Sequence, residues 1–226
     1  MVIRNAQDVS DWRLCVGCGA CAAVCPRKNI ILRDVEDQGI RPVVNSGSCE
    51  DCRLCLKVCP GLEIVHGATN AYNGAIPSLK AGWGPILEFW EGYAADKDIR
   101  HHGSSGGLAS ALALYCMEKE NMYGTLHISA DEKTAYKNKT VMSRTREEIL
   151  SRTGSRYSPA SPCDGLEEIL AAPGQCVFIG KPCDVAALRK ARQMKPELEE
   201  KTGIALGIFC AGTPSTRGTI DLIEKM

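Results

Sequence analysis

Residues 15–26 read CVGCGACAAVCP and residues 49–60 read CEDCRLCLKVCP. Both follow one spacing, Cys-x2-Cys-x2-Cys-x3-Cys-Pro, and the repetition restricts what this part of the chain can become. Iron takes thiolate ligands readily, and a 4Fe–4S cube offers four corners to four sulfurs. Three cysteines at x2 spacing wrap one face of a cube through a tight loop. The fourth, three residues on and followed by Pro, leaves on a helix and reaches the neighbouring cube. The spacing therefore assigns Cys15, Cys18, Cys21 and Cys59 to one 4Fe–4S cluster, and Cys49, Cys52, Cys55 and Cys25 to a second. Gly17 and Gly19 let the backbone close around the first cube, and Pro26 and Pro60 set the exit of the chain. Four-cysteine zinc sites instead use paired Cys-x2-Cys knuckles separated by longer stretches.

Thirteen cysteines in 226 residues would suit a disulfide framework in a secreted chain, but thiolate clusters need a reducing compartment. The expected localisation is cytoplasmic. The N-terminus has no apolar core of a signal peptide, and no apolar run reaches the roughly 18 residues of a membrane span. Lys and Arg total 27, as do Asp and Glu, so no global field recruits nucleic acid or an acidic membrane. Neither is an expected partner.

The expected fold class is an α+β two-cluster ferredoxin-like domain over residues 1–66, a linker over 67–84, and an α/β domain over 85–226. Between the cysteine runs, IILRDVEDQGIRPVV reads as a hairpin around Asp37-Gln38-Gly39, and LEIVHG, from Leu62, as a short closing strand. The next stretch is rich in Gly, Asn and Pro and poor in periodic apolar residues, as a linker is. PILEFWEGYAA then alternates like a strand, with Leu87 and Phe89 on one face. A Gly/Ser loop turns into an apolar helix carrying Leu108, Ala111, Leu112 and Tyr115. YGTLHIS and KTVMSRT read as strands. Thr145 with Glu148, and Asp164 with Glu167, each suggest a capping box. Two strand–turn–helix units close the chain: QCVFIG, KPC, DVAALRKARQ, then IALGIFC, AGTPSTRG, TIDLIEKM. Continuous apolar strands of this kind predict a sheet covered on both faces, with ligands bound beyond the strand ends.

GSSGG, Gly103 to Gly107, stands directly before the helix. Ser104 or Ser105 can cap it, and Gly103, Gly106 and Gly107 let backbone N–H groups approach an anion such as phosphate or pyrophosphate. Its spacing fits neither a dinucleotide fingerprint nor a Walker loop. Lys181 ends a buried strand, Pro182 stiffens the turn, and Arg156 in GSRY is a second cation for an anionic ligand. His101 and His102, adjacent in a loop, read as solvated. Cys116 and Cys176 lie in apolar elements and read as core. Cys183 and Cys210 stand at strand–turn junctions facing the expected crevice.

The runs RHHGSSGGLASALALYC, TGSRYSPASP, FIGKPCDVAALRK and GIFCAGTPSTRGTIDLI resemble the beta subunits of coenzyme F420-reducing hydrogenases and dehydrogenases, from the cysteine runs to the last residue. That resemblance implies FAD in the α/β region, held by residues 103–107, Arg156, Lys181 and Pro182. Lys181 and Cys183 are then the catalytic candidates. It also implies electrons passing between the clusters and a two-electron acceptor, such as coenzyme F420, with a ferredoxin or partner subunit as redox partner. Family members continue beyond TIDLIEKM, so the α/β domain is expected to be truncated. The alternative is a non-catalytic electron-transfer module whose α/β part serves as a docking surface.

Overall fold

A computed structural model describes residues 2–64 and 74–226 of the chain. The iron-binding part opens with α1 (Ala6–Asp11), capped by the Asn5 side chain on Gln7 N–H, and α2 (Ala20–Ala23). The hairpin follows as β1 (Ile30–Val35) and β2 (Gly39–Val44), paired antiparallel with Val35 opposite Gly39. Gly39 has φ +81°, which its turn requires and which a side chain would strain. After α3 (Leu54–Lys57), the expected closing strand at Leu62–Gly67 extends into residues outside those described.

Next come α4 (Pro77–Trp83) and α5 (Lys97–His102), with Asp96 capping the latter through Asp98 and Ile99 N–H. The expected strand through Leu87 and Phe89 is absent: residues 84–94 run in no regular element. Alternation sets which side chains share a face, but a strand also needs a partner edge. Here Phe89 and Trp90 are 78% and 81% exposed.

A 3-10 turn over Ser105–Gly107 leads into α6 (Leu108–Glu118). Neither serine caps that helix. Its N-cap is Gly107 in the left-handed region, and the Ser104 hydroxyl instead accepts the Ser155 N–H at 2.8 Å. Leu108, Leu112 and Tyr115 face solvent, while Ala113, Leu114 and Cys116 are buried. The helix is apolar nearly all round, so its sequence does not say which face turns inward.

β3 (Gly124–Ala130) and β4 (Asn138–Ser143) pair antiparallel, and α7 (Arg146–Leu150) takes Thr145 as its cap, the hydroxyl accepting Glu148 N–H at 3.2 Å. No capping box forms at Asp164. Pro162 starts a 3-10 turn there, and α8 (Leu166–Ala171) begins from Gly165 without a side-chain cap. β5 (Cys176–Gly180), α9 (Pro182–Met194), α10 (Pro196–Lys201), β6 (Thr202–Gly207) and α11 (Thr216–Ile223) complete the described chain. The sheet order is β4-β3-β5-β6, with β5 parallel to both β3 and β6. Coverage of both faces holds for β5, whose Cys176, Val177 and Phe178 are buried, but not for the edge strand β6, where Gly203 and Ile204 are exposed.

The main apolar core runs across both parts of the chain. Cys18, Ala20, Ala23, Val24 and Val58 pack into the same cluster as Leu126, Leu166, Phe178 and Leu188. Burial of a large aliphatic or aromatic side chain stabilises by about 1.5–3 kcal/mol, so this shared core holds the cysteine loops against the sheet. At the other end of the hairpin, Thr216 Oγ1 donates to Asp34 Oδ1 at 2.6 Å and Arg217 N–H to the Glu36 carbonyl at 2.8 Å. Among the described residues, no helix is long and apolar enough to cross a membrane.

Candidate functional site

The two cysteine runs fold alike. Gly19 precedes α2 and Arg53 precedes α3, both left-handed, with φ of 88° and 59°. In each run three cysteines wrap the loop into a single helical turn. The fourth, Cys25 or Cys59, follows a buried valine, Val24 or Val58. α2 and α3 touch, and their contact brings each fourth cysteine to the other run. Cys59 has Cys18 and Cys15 as neighbours, whereas Cys55 has Cys52, Cys49 and Cys25. A cavity of about 50 Å³ is lined by Cys25, Cys49, Cys52 and Cys55 together.

Every cysteine is a free thiol. Among the described residues no three His, Cys, Asp or Glu side chains group tightly enough for a single metal ion; a cube spreads its ligands over separate corners. The donor set fits two 4Fe–4S clusters: eight thiols in two groups of four. The groups differ in burial. Cys49 and Cys52 are exposed, while burial pushes the Cys21 thiol pKa far up and raises those of Cys15 and Cys59.

The α/β part lays a short segment across the first loop. Ser161 Oγ donates to the Gly17 carbonyl at 2.6 Å, and Cys163 N–H to the Cys18 carbonyl at 3.0 Å. The Cys163 thiol donates to the Asp184 carbonyl oxygen at 3.3 Å. Lys190 Nζ donates to the Cys59 carbonyl at 3.2 Å.

Asp184 also lines the large cavity of the α/β part, about 560 Å³, within the ~300–1,000 Å³ of small-molecule sites. Of the residues expected to hold a cofactor, Ser104, Ser105, Arg156 and Lys181 line it, as does Cys210. Gly103, Gly106, Gly107, Pro182 and Cys183 are not among the lining residues. The three glycines serve close packing. A Cβ on Gly106 would meet Tyr93 Cβ at 2.8 Å, and one on Gly103 or Gly107 would meet the Ile99 carbonyl at 2.7 or 2.5 Å. Burial pushes the Cys183 thiol up to about 11, which suits an inert thiol better than a nucleophile.

Lys181 does not reach freely for an anion. Its Nζ stands 2.7 Å from Asp184 Oδ2. Burial opposes the charge on Lys181, but the Asp184 carboxylate outweighs it and holds the ammonium above the usual lysine range. Burial also raises Asp184, with Lys181 opposing. One carboxylate oxygen accepts both the Nζ and the Lys181 backbone N–H, and this supports the ionised pair.

His127 and Arg152 also line the cavity, and neither is among the site residues expected from the sequence. His127 Nε2 is 2.7 Å from Ser143 Oγ, and Arg152 Nη1 donates to the same oxygen at 2.7 Å. Arg can only donate, so the Ser143 hydrogen is free to serve His127 Nε2. Burial, then the Arg152 charge, lowers His127 to about 4. The available signal was a polar residue inside the apolar strand YGTLHIS. The lining also includes the apolar side chains of Ile179, Ile208 and Phe209. Serines, arginines and apolar side chains in one lining suit a ligand that joins an anionic group to an apolar part.

The fold and its thiol groups define an iron–sulfur protein of the electron-transfer class: residues 14–61 match the 4Fe-4S dicluster domain. Residues 89–166 match the family model described as coenzyme F420 hydrogenase/dehydrogenase, beta subunit N-term, and residues 174–226 match the C terminus of the same subunit. The chain belongs to the coenzyme F420 hydrogenase/dehydrogenase beta subunit family. It is 31% identical to coenzyme F420 hydrogenase subunit beta of Methanosarcina barkeri, over 52% of this chain and 42% of that one. It is 21% identical to a subunit of the F(420)H(2) dehydrogenase of Methanosarcina mazei, over 90% and 55%. With coenzyme F420-dependent sulfite reductase of Methanocaldococcus jannaschii the identity is 25%, over 90% and 32%. A chain of the F420-reducing nickel–iron hydrogenase complex of Methanosarcina barkeri superposes with a TM-score of 0.53 at 27% identity, covering 58% of this chain and 47% of that one. The chain spans about half the length of the curated relatives it matches.

Proposed function

We propose that this chain is the electron-transferring part of an iron–sulfur flavoprotein oxidoreductase, which exchanges electrons between two 4Fe–4S clusters and FAD, with coenzyme F420 as the two-electron acceptor or donor. The observation that carries this reading is the contact chain from the Cys18 carbonyl through the Cys163 N–H and thiol to the Asp184 carbonyl, because Asp184 is a wall residue of the 560 Å³ cavity. A ligand of the buried cluster is thereby two hydrogen bonds from the space for a cofactor.

Roles follow from position. Cys15, Cys18, Cys21 and Cys59 hold the inner cluster, and Cys49, Cys52, Cys55 and Cys25 the outer one. Exposure of Cys49 and Cys52 makes the outer site the docking point for a ferredoxin or partner subunit. In the cavity, Ser104, Ser105, Arg152 and Arg156 face the anionic part of FAD, assisted by the N-terminus of α6. Ile179, Ile208 and Phe209 offer apolar contact to the ring. A bound flavin supplies the exchange between one-electron and two-electron chemistry that iron–sulfur clusters lack. The relatives named for coenzyme F420 support that choice of acceptor.

Anaerobic purification, iron analysis, and acid extraction with identification of the released cofactor test the reading. Reduction by dithionite followed by turnover of coenzyme F420 tests the acceptor. Eight irons with FAD are expected; eight irons, no flavin after reconstitution and no turnover would leave an electron-transfer module alone.

A further inference from the structure

We propose that Lys190 and Arg41, which belong to neither cysteine run, are redox-tuning cations: held beside Cys59 and Gly17, their positive charges raise the reduction potential of the inner cluster. The proposal rests on the iron–sulfur reading above.

Each cation is held against the inner site by its own contact. On α9, Lys190 Nζ donates to the Cys59 carbonyl at 3.2 Å, and its side chain is only 17% exposed. On β2, Arg41 Nη1 donates to the Ile40 carbonyl at 2.8 Å and lies 3.4 Å from where a Gly17 Cβ would stand. Gly17 belongs to the ligand loop, and its N–H donates to the Cys15 sulfur at 3.4 Å. Opposition to these charges is weak. Glu63 is 3.9 Å from Lys190 but 70% exposed, so water screens it. Lys181 and Asp184 pair with each other and add no net charge. The two ligand loops differ in the same sense. CVGCGAC carries no charged side chain, whereas CEDCRLC carries Glu50, Asp51 and Arg53. At the outer loop Arg53 faces Asp51 at 3.8 Å and Arg27 pairs with Glu50, so carboxylates answer its cations.

The sign of the effect follows. Reduction adds one negative charge to a cluster, so a nearby cation stabilises the reduced form more than the oxidised one. Burial works the other way, because it disfavours added charge. Cys18 is buried, while Cys49 and Cys52 are exposed. Water can solvate the extra charge at the outer cluster; at the inner one Lys190 and Arg41 stand in for it. A largely buried charge such as Lys190 is also screened little by salt. The two cations thereby offset the burial of the inner cluster, so that electrons exchange with the outer one without a steep step.

Potentiometric titration monitored by electron paramagnetic resonance, on the full chain loaded anaerobically with iron and sulfide, tests this. The inner midpoint is the one altered in Cys59→Ala. Lys190→Met, which keeps the length without the charge, is expected to lower that midpoint by roughly tenfold in its one-electron equilibrium, about 59 mV. Arg41→Gln lowers the same midpoint, and Lys190→Arg, which keeps the charge, stays near the wild type, all with about eight irons. Glu63→Lys, which leaves both cations in place, raises it by roughly threefold, about 28 mV. Wild-type midpoints in Lys190→Met and Arg41→Gln would overturn the proposal, and so would shifts of different midpoints in the two. Loss of iron in Lys190→Met with an unshifted midpoint in Glu63→Lys would make Lys190 a strut for the Cys59 loop, and overturn it equally. A wild-type protein with only about four irons and no cluster on Cys18 would remove the cluster reading itself, and the iron count of the wild type detects this independently of the variants.

Discussion

Lys181 Nζ and Asp184 Oδ2 stand 2.7 Å apart at the start of α9, and the same oxygen accepts the Lys181 backbone N–H at 2.8 Å. Asp184 is 0% exposed. Its carboxylate therefore does two jobs at once, capping the helix and neutralising a half-buried ammonium beside the cavity.

Removing that carboxylate as Asp184→Ala leaves Lys181 without its counter-charge and the N-cap N–H without its acceptor. We expect a loss of about 3 kcal/mol in unfolding free energy, measured by urea denaturation. A loss below about 1 kcal/mol, the worth of an exposed pair, would show that Lys181 turns to solvent at no cost.

Acid stability should report His127. Its folded pKa, about 4, lies below the ordinary 6.5, so the unfolded chain binds more protons between those values. Stability then rises with pH through that window. It is complete above pH 6.5 and falls by roughly 3 kcal/mol as pH drops to 4. His127→Gln should flatten this part of the stability profile; a profile unchanged from wild type would place the titration on other groups.

Cys59 is next to Cys15 and Cys18 rather than with the run it belongs to in sequence. Cys59→Ala should therefore perturb the inner cluster, and iron should fall from about eight towards four per chain. The potentiometric signal of the Cys49, Cys52 and Cys55 cluster should survive. Loss confined to that outer cluster would overturn the crossed assignment.

Gly106 has φ +67° with Tyr93 Cβ only 2.8 Å from where its own Cβ would lie. Gly106→Ala is expected to cost about 1–3 kcal/mol through backbone strain and that clash, read from the thermal midpoint. Cofactor loss in this variant should track the loss of stability. Full stability with lost cofactor would instead indicate direct contact at Gly106.

Cys116 and Cys176 are buried, in α6 and β5, outside both cysteine runs. Alanine at either position should cost about 1–2 kcal/mol and leave the iron spectrum intact. A lost cluster signal in either variant would reveal a missed ligand.

Features set by neighbours along the chain are legible in the amino-acid sequence. The hairpin at Asp37–Gly39 needs a turn glycine between alternating strands, and Thr145 caps the helix that starts beside it. The same kind of alternation suggests a strand through Leu87 and Phe89, yet that segment has no partner edge. Leu108, Leu112 and Tyr115 have the spacing of a helix stripe, but α6 is apolar on most sides and turns Ala113 and Leu114 inward. Lys181 looks free in the sequence, which shows a cation at the end of a strand and not the burial that makes Asp184 hold it.

The amino-acid sequence by itself determined the ligand chemistry. Eight cysteines at short, repeated spacings need only the reach of a few residues to face a cube, and that reach is a property of the local backbone. Only the tertiary structure decided what those ligands meet. Ser161 and Gly17 are 144 residues apart in sequence and 2.6 Å apart in space. No local rule forecasts that contact, because it depends on one apolar core closing over Cys18, Val58, Leu166 and Phe178 together. That closure brings the Cys163 N–H to the Cys18 carbonyl and sets Asp184 between the cysteine loop and the cavity.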